Sequence, residues 1–301
     1  MLSKAFVKEL SRALPGLEVR LAEPMSVHTT LHIGGPAAAM AFPRGDELEK
    51  TIAFALKKGV KPLLIGSGSN ILAPDGELDR FVVVTRSGEP EIRVEGASVY
   101  AQAGATLAKI AAAARDAGLT GFEFAAGIPG TLGGALLMNA GAYGGEMKDV
   151  AACTVWLDGD GNRRETTGAG HRFGYRRSVF AETESYILSG RIDLAPGDPE
   201  AIRARMDELA EKRRASQPLD VPSAGSAFKR PANGYAAAMI DECGLRGLRV
   251  GGACVSEKHA GFIVNTGGAT CADVLELIEK IQSAVFERFG TMLEPEIRVV
   301  N

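Results

Sequence analysis

Two glycine-rich segments limit the folds that this chain can adopt more than any other feature of its sequence. The first covers residues 66–70, directly after a short apolar run, and the second covers residues 121–145. Glycine contributes 37 of the 301 residues without any regular period, which excludes a collagen-like repeat. Both segments predict a backbone that turns tightly or approaches a ligand closely, because glycine tolerates such conformations best.

The first segment reads Gly-Ser-Gly-Ser-Asn and resembles the start of a dinucleotide-binding fingerprint. Ile71 stands where that fingerprint has its third glycine, and no helix is predicted to follow, so a Rossmann fold is excluded. Successive amides in a Gly/Ser turn can still form a concave site for a pyrophosphate. A tight strand-to-loop turn without a ligand is the alternative interpretation.

The second segment is glycine-rich but not hydrophilic, unlike a flexible linker. Its apolar side chains predict that it is buried, although it shows no helical or strand period; they are Ile128, Leu132, Leu136, Leu137 and Met138. Buried irregular backbone leaves amides that need partners, and a ligand with phosphates and a polar heterocycle would supply them. Because no Walker lysine is present, a flavin dinucleotide is favoured over a nucleoside triphosphate.

Periodicity and capping residues predict an α+β fold with mixed sheets. Besides an amphipathic N-terminal helix, the predicted helices are 46–58, 106–117, 198–216, 235–243 and 273–289. The predicted strands are 61–65, 81–85, 91–94, 98–101, 154–157, 186–194, 249–255, 261–265 and 296–300. The two prolines of residues 217–222 predict a domain boundary there.

Composition narrows the possible partners and the compartment. The net charge of −3 gives no basic excess, so neither nucleic acid nor an anionic membrane is expected as a partner. The N-terminus lacks the apolar core of a signal peptide, and the four cysteines form no C-x-x-C pair. These features predict a cytoplasmic protein with reduced thiols. His28 and His32 have metal-like spacing, but no third ligand lies nearby in sequence, so no metal is expected.

Three places in the sequence are candidates for chemistry, each with a structural alternative. Arg176 and Arg177 lie among aromatic residues and suit a planar carboxylate or phosphate, although a surface arginine pair packed on aromatic rings would look the same. Ser226 follows Gly225 in a constrained turn without the motif of a nucleophilic serine, which leaves the roles of proton donor or turn cap. Glu296 lies in the last predicted strand, where a solvated ion pair is the alternative.

Taken together, segments along nearly the whole chain resemble the UDP-N-acetylenolpyruvoylglucosamine reductase (UDP-N-acetylmuramate dehydrogenase) family, in its short second subtype. The stretches that carry the resemblance are 29–36, 64–72, 126–145, 174–178, 222–229, 251–265 and 293–298. Each alone is a weak signal, and the seven in family order are a strong one.

The resemblance implies a three-domain α+β flavoprotein. Residues 1–86, joined by a C-terminal strand at 293–301, would form the first FAD-binding domain, and residues 87–216 would form the second. Both would be of the vanillyl-alcohol-oxidase type. Residues 217–292 would then bind the UDP-sugar substrate. FAD as cofactor, NADPH as reductant, a cytoplasmic location and a monomeric state are the further expectations.

The same resemblance places the family's functional residues on this sequence. The catalytic residues would be Arg176, Ser226 and Glu296. The FAD-binding residues would be Gly66, Ser67, Gly68, Ser69, Asn70, Gly127, Ile128, Pro129, Gly130, Thr131, Gly133, Gly134, Asn139 and Gly141. Residues that contact the substrate would be Tyr175, Lys229 and His259.

The implied reaction passes a hydride from flavin N5 to an enolpyruvyl group, after which Ser226 supplies the proton. Two other classes of function stay open at this point. One is an FAD-dependent sugar or alcohol oxidase of the same fold, although no histidine in either glycine-rich segment could tether the flavin. The other is a non-catalytic sensor of nucleotide sugars.

Overall fold

The computed structural model describes residues 2–301 of the chain, which divides into two compact units. The larger unit comprises residues 2–21, 39–67 and 80–212, and the smaller unit comprises residues 22–38, 68–79 and 213–301. The three domains expected from the sequence stay a prediction. Within residues 2–301, no helix combines the length and the apolar character needed to cross a membrane.

The predicted helices are confirmed, two further helices (Leu132–Met138 and Val179–Glu182) were not predicted, and the α+β class is confirmed. The α-helices are α1 (Lys4–Ala13), α2 (Glu47–Lys57), α3 (Leu107–Asp116), α4 (Leu132–Met138), α5 (Val179–Glu182), α6 (Pro199–Ser216), α7 (Ala236–Glu242) and α8 (Cys271–Phe289). Hydroxyl caps fix three of the starts, because the Oγ atoms of Ser3, Thr106 and Thr270 accept hydrogen bonds from amides of the first helical turn.

Most of the strands are short. They are β1 (Glu18–Pro24), β2 (Pro36–Phe42), β3 (Leu63–Ile65), β4 (Ile71–Leu72), β5 (Leu78–Val84), β6 (Ile92–Glu95), β7 (Ser98–Gln102), β8 (Leu119–Thr120), β9 (Gly141–Ala142), β10 (Gly145–Glu146), β11 (Ala151–Asp158), β12 (Arg163–Thr167), β13 (Ser185–Asp193), β14 (Ala195–Pro196), β15 (Ser223–Ser226), β16 (Arg249–Val250), β17 (Ala253–Val255), β18 (Phe262–Asn265) and β19 (Arg298–Val299).

A five-stranded antiparallel sheet dominates the larger unit, in the order β12-β11-β13-β7-β6. The strands predicted at 91–94 and 98–101 form a hairpin, since Glu95 pairs with Ser98 on either side of Gly96. Buried apolar side chains of α3 and α4, such as Ile110 and Leu136, belong to one core cluster with side chains of this sheet. That packing holds the second glycine-rich segment, from which α4 arises, beside the sheet.

A second sheet has the order β1-β2-β5-β3, in which β3 and β5 run parallel. Leu10 of α1, Ile52 of α2 and Phe81 of β5 share a core cluster in the larger unit, so both helices pack at this sheet. The parallel pair places the end of β3 beside that of β5, and the first glycine-rich segment begins directly after β3.

The smaller unit contains a four-stranded antiparallel sheet in the order β15-β18-β17-β16. Helix α8 packs into its core through Val274, Leu277, Ile281 and Val285, which lie three or four residues apart along one face. The single strand predicted at 249–255 is wrong: β16 and β17 form a hairpin there, because the chain turns at Gly251, whose φ is +50°. The last strand is also shorter than predicted, and β19 runs parallel to β4.

Candidate active site

The first glycine-rich segment contacts the second at Gly66. A Cβ atom placed on Gly66 would lie 2.2 Å from Oγ1 of Thr131, so only glycine fits there without a shift of the threonine. Both residues belong to the larger unit. The structure therefore brings together one residue from each of the two predicted cofactor-binding segments.

Backbone amides of the first segment are not used in pairing with the rest of the backbone. Among residues 2–301, no backbone carbonyl accepts a hydrogen bond from the amides of residues 66–70. Five consecutive amides without a carbonyl partner have the character of an anion-binding nest. The side chain of Asn70 has a protein partner, because its Nδ2 donates to the carbonyl of Glu296 over 3.1 Å. Asn70 can therefore serve a bound phosphate through its backbone.

The second segment satisfies more of its own backbone than the sequence suggested. Amides of Ile128, Gly130, Leu132 and Gly133 donate to protein carbonyls, whereas those of Gly127 and Thr131 have no backbone acceptor within residues 2–301. The prediction of an irregular segment is wrong in part, because α4 forms within it. Its buried residues Leu132, Ala135 and Leu136 recur at helical spacing, and their burial outweighs the low helix propensity of the two glycines in the first turn.

These features fit an FAD pyrophosphate. Amides without backbone acceptors face no competition from carbonyl groups for an anion, and the glycine at position 66 lets this segment lie against Thr131 of the other segment. Gly66 and Ser67, together with Gly127 and Thr131 of the same unit, would hold the phosphates. Gly141, which the sequence also placed at the cofactor, has a structural reason to be glycine, since a Cβ there would lie 2.6 Å from the carbonyl oxygen of Gly145.

Arg176 sits in a tight turn between β12 and α5. The backbones of Gly174 and Arg177 exchange hydrogen bonds of 3.0 and 3.2 Å, which closes a two-residue loop around Tyr175 and Arg176. Arg176 has a φ of +53°, a conformation that is uncommon for a residue other than glycine. Its guanidinium carbon lies 5.0 Å from the ring centroid of Tyr175, which is half exposed. The turn therefore presents a cation and an aromatic ring together.

Asn139 ends α4 in the left-handed conformation, with φ of +46°. Its side chain is buried and uses both of its donors: Nδ2 donates to Oε2 of Glu146 over 3.0 Å and to the carbonyl of Gly174 over 2.9 Å, while Oδ1 accepts from the amide of Lys148 over 2.8 Å. The sequence predicted Asn139 as a cofactor contact. That contact stays a prediction, and the donors of its side chain already have protein partners.

Glu146 is a residue of this region that the sequence reasoning missed. Its carboxylate bonds to Nζ of Lys148 over 2.7 Å and to Asn139. The Lys148 hydrogen bond is the main cause that lowers the pKa of Glu146, and the positive charge of Arg176 contributes to the same direction. Its carboxylate therefore remains charged beside the Arg176 turn. A capping-box spacing from Glu146 to Asp149 was the available sequence signal, and it explains only the local turn.

Ser226 and Glu296 lie on paired segments of the smaller unit. The amide of Glu296 donates to the carbonyl of Ala227 over 2.8 Å, and the amide of Lys229 donates to the carbonyl of Glu294 over the same distance. Ser226 lies at the end of β15, in an irregular pairing with β18 rather than in the predicted turn. This serine is exposed. The backbone thus pairs the segment that follows Ser226 with the segment that carries Glu296.

The two other predicted substrate contacts of this unit flank the pair. The Nζ atom of Lys229 forms an ion pair with Glu294. Nδ1 of His259 accepts a hydrogen bond from the amide of Gly261 over 3.2 Å, and burial lowers the pKa of this imidazole. The carbonyl of Gly261 in turn accepts from the amide of Ala227, which connects His259 to the segment that follows Ser226.

Neither the cysteines nor the histidine pair forms a further centre. Within residues 2–301, no group of three or more His, Cys, Asp or Glu side chains could hold a metal, and Nε2 of His28 lies 2.9 Å from Oε1 of Glu23. All four cysteines are free. Burial raises the pKa of Cys153 and of Cys271 to about 11, so these thiols stay protonated and weakly nucleophilic at neutral pH.

Known families match both parts of the chain. A model of an FAD-binding domain matches residues 36–167, and a model of the C-terminal domain of UDP-N-acetylenolpyruvoylglucosamine reductase matches residues 217–300. A UDP-N-acetylenolpyruvoylglucosamine reductase from Caldanaerobacter subterraneus is 47% identical over 301 residues, which cover all of this chain and 99% of the relative. One from Clostridioides difficile is 44% identical over 94% of each chain.

A solved structure agrees with the sequence comparisons. The crystal structure of UDP-N-acetylenolpyruvylglucosamine reductase from Thermus caldophilus superposes with a TM-score of 0.80 at 33% identity, covering 95% of this chain and 99% of that one. Sequence identity well above 30% along the full length and a shared fold assign the whole sequence to one family. The chain belongs to the UDP-N-acetylenolpyruvoylglucosamine reductase family, whose members are FAD-dependent oxidoreductases of cell-wall synthesis.

Proposed function

We propose that this enzyme uses NADPH to reduce UDP-N-acetylglucosamine enolpyruvate to UDP-N-acetylmuramate. The observation that carries the proposal is the 47% identity along the entire chain to a relative named for this reduction. The segments around Arg176, Ser226 and Glu296 add support, because each presents the side-chain chemistry that an enol ether reduction requires. The competing oxidase and sensor functions have no comparable support.

The residues of the two glycine-rich segments would hold the cofactor. Bound FAD would accept a hydride from NADPH and supply it to the terminal carbon of the substrate's double bond. Amides of Gly66 and Ser67 would bind the pyrophosphate, and glycine at position 66 would keep them beside Thr131 of the second segment. The protein must then stabilise the negative charge that develops at the neighbouring carbon and donate a proton to that carbon.

Arg176 would bind the carboxylate of the enolpyruvyl group. Addition of a hydride to the terminal carbon leaves the electron pair of the former double bond on the adjacent carbon and its carboxylate. A guanidinium suits this planar anion because its two N–H groups match the two oxygens. Fixed positive charge at the place where negative charge develops is usually the largest contribution to catalysis.

Ser226 would complete the reduction by donating its hydroxyl proton to the adjacent carbon. One hydride and one proton then saturate the double bond, and solvent returns a proton to the serine. A hydroxyl is a weak acid, so its efficiency depends on placement. Glu296, held on the paired segment, would orient the reacting group beside Ser226. Tyr175, Lys229 and His259 would contact the UDP-sugar.

Replacing Ser226 by alanine separates the two halves of this reaction. In the Ser226→Ala variant, NADPH should still reduce the bound flavin at the wild-type rate, because no proton on carbon is needed there. Reoxidation by the enolpyruvyl substrate should slow by about 10²–10⁴-fold, the usual contribution of a positioned acid. Anaerobic stopped-flow absorbance of the flavin measures both rates.

Ser223, at the other end of the same strand, provides the matched control. Ser223→Ala should leave both rates near wild type. Equal losses of both half-reactions in Ser226→Ala would contradict the assignment of the proton donor.

The cytoplasmic location and the monomeric state also belong to this proposal. Light scattering on the purified holoenzyme measures its mass in solution and tests the monomeric state directly.

A further inference from the structure

We propose that Asn139 is a positioning residue that holds Arg176 ready for the substrate carboxylate. The inference rests on the proposed function, in which Arg176 receives the developing negative charge. It assigns Asn139 to the substrate side of the reaction rather than to the cofactor, and it depends on contacts within the larger unit alone.

The side chain of Asn139 has no N–H donor left for a cofactor. A primary amide offers two N–H donors, and here one donates to Glu146 and the other to the carbonyl of Gly174. The amide oxygen accepts from the backbone of Lys148. Only 1% of the residue is exposed, so these bonds are shielded from competing water.

The Arg176 turn needs external support because its backbone is strained. A residue other than glycine at a φ of +53° persists only where its surroundings hold it. Asn139 fixes the start of the turn through the carbonyl of Gly174 over 2.9 Å. Ser178 fixes its end, since its buried Oγ donates to the carbonyl of Leu137 over 2.5 Å. Both anchors come from the C-terminal turn of α4.

Glu146 connects this anchor to the charge of Arg176. Its carboxylate accepts hydrogen bonds from Asn139 and Lys148, and the positive charge of Arg176 also helps to lower its pKa. The same hydrogen-bonded group therefore sets the backbone of the turn and places a fixed counter-charge near its cation. An arginine held in this way is preorganised and needs no reorientation when substrate arrives.

The Asn139→Asp variant removes both donors while it preserves the size of the side chain. Aspartate keeps an oxygen for the amide of Lys148 and tolerates the left-handed conformation. We expect bound FAD content and the rate of flavin reduction by NADPH to stay within about twofold of wild type. Reoxidation by the enolpyruvyl substrate should slow at least about tenfold, and KM for that substrate should rise. Asn162→Asp, at an exposed turn, is the matched control and should change neither rate.

A double-mutant cycle with Arg176→Lys shows whether Asn139 acts through the arginine. If it does, Asn139→Asp should cost little more once Arg176 has been replaced, so the two losses should not multiply. Multiplicative losses would overturn the proposal. An unchanged reoxidation rate in Asn139→Asp would overturn it as well, and so would equal loss of FAD content and of both half-reactions.

The Asn139→Asp/Glu146→Gln variant separates repulsion from lost anchoring. The glutamine amide can donate to the carboxylate introduced at position 139, which removes the clash of two carboxylates, but the carbonyl of Gly174 still lacks its donor. The double variant should have a higher melting temperature than Asn139→Asp, while its reoxidation by substrate should stay slow. A return of the reoxidation rate to the wild-type value would contradict the role of the Gly174 bond. Ser178→Ala tests the second anchor if Asn139→Asp does not fold, and it should slow reoxidation selectively. Failure of the wild-type enzyme to react with this substrate would instead refute the proposed function.

Discussion

The two segments that carry the proposed catalytic residues are held in place in different ways. The turn at Arg176 depends on side chains, because Asn139 and Ser178 anchor its two ends and Arg176 itself has an unfavourable φ. The segment with Ser226 and Glu296 depends on backbone pairing, in which main-chain amides of Glu296 and Lys229 make the defining bonds.

This difference predicts where single substitutions matter. Backbone hydrogen bonds survive a change of side chain, so the Ser226–Glu296 arrangement should tolerate substitution of its neighbours. The Arg176 turn should be sensitive at residues that touch neither substrate nor cofactor. Catalysis by this protein would then be more vulnerable in the larger unit than in the smaller one.

The largest effect is expected when the planar cation is changed. Arg176→Lys keeps the positive charge but loses the paired N–H groups that match a carboxylate. Reoxidation of reduced flavin by substrate should slow about 10²–10³-fold, the usual cost of one oxyanion-stabilising group. Rapid-mixing absorbance measures this rate under anaerobic conditions.

Arg177 is the matched control, because it follows directly in sequence and forms an exposed ion pair with Glu182. Arg177→Lys should retain nearly all activity. If the two variants were equally impaired, the special role of the Arg176 side chain would be refuted.

A smaller effect is expected at Asn70, which tests the segment that is held by backbone pairing. Its Nδ2 donates to the carbonyl of Glu296, but its own carbonyl also accepts from the amide of Arg298 over 3.1 Å. Asn70→Ala leaves the backbone bond intact and removes one hydrogen bond, worth about 0.5–1.5 kcal/mol. Reoxidation should slow less than about tenfold, and a loss as large as that of Arg176→Lys would contradict backbone control of Glu296.

A fall in pH should lower the free energy of unfolding through His171, a residue near the Arg176 turn. Burial lowers the pKa of His171, which lies shortly after β12 near the turn and bonds to Thr154 and to the carbonyl of Gly168. The unfolded chain binds a proton near pH 6.5, whereas the folded imidazole binds one only at lower pH. The free energy of unfolding should therefore fall as pH drops below 6.5, until the folded pKa is reached.

Urea unfolding at several pH values between about 7 and 5 measures this slope. His259 in the smaller unit has a pKa lowered by burial too, so part of the slope belongs there. His171→Gln should reduce the slope without abolishing it. An unchanged slope in that variant would show that His171 does not titrate as its burial requires.

Strongly periodic elements were predictable from the sequence, whereas elements fixed by tertiary contacts were not. Helix α8 is indicated by its apolar spacing and its threonine cap. Strand β2 is rich in alanine, which has little strand preference, and forms because its sheet neighbours bury it. Helix α4 was missed since Gly133 and Gly134 argue against a helix, and only packing against the sheet overrides them.

The candidate site shows the same division. Glycine density indicated both segments proposed to hold the cofactor, and the family resemblance supplied the proposed catalytic residues Arg176, Ser226 and Glu296. The roles of Asn139 and Glu146 could not be read from the sequence, because they depend on hydrogen bonds to a turn 35 residues further along the chain. Sequence spacing alone gives no sign of such a contact.

Anaerobic reoxidation of the wild-type holoenzyme is the most direct test that its reduced flavin reduces the enolpyruvyl substrate. The bound flavin is first reduced with NADPH and then mixed with UDP-N-acetylglucosamine enolpyruvate in the absence of oxygen. We expect rapid return of the yellow absorbance and formation of one UDP-N-acetylmuramate for each flavin oxidised. Colour that returns only with oxygen, with no reduced sugar product, would contradict it.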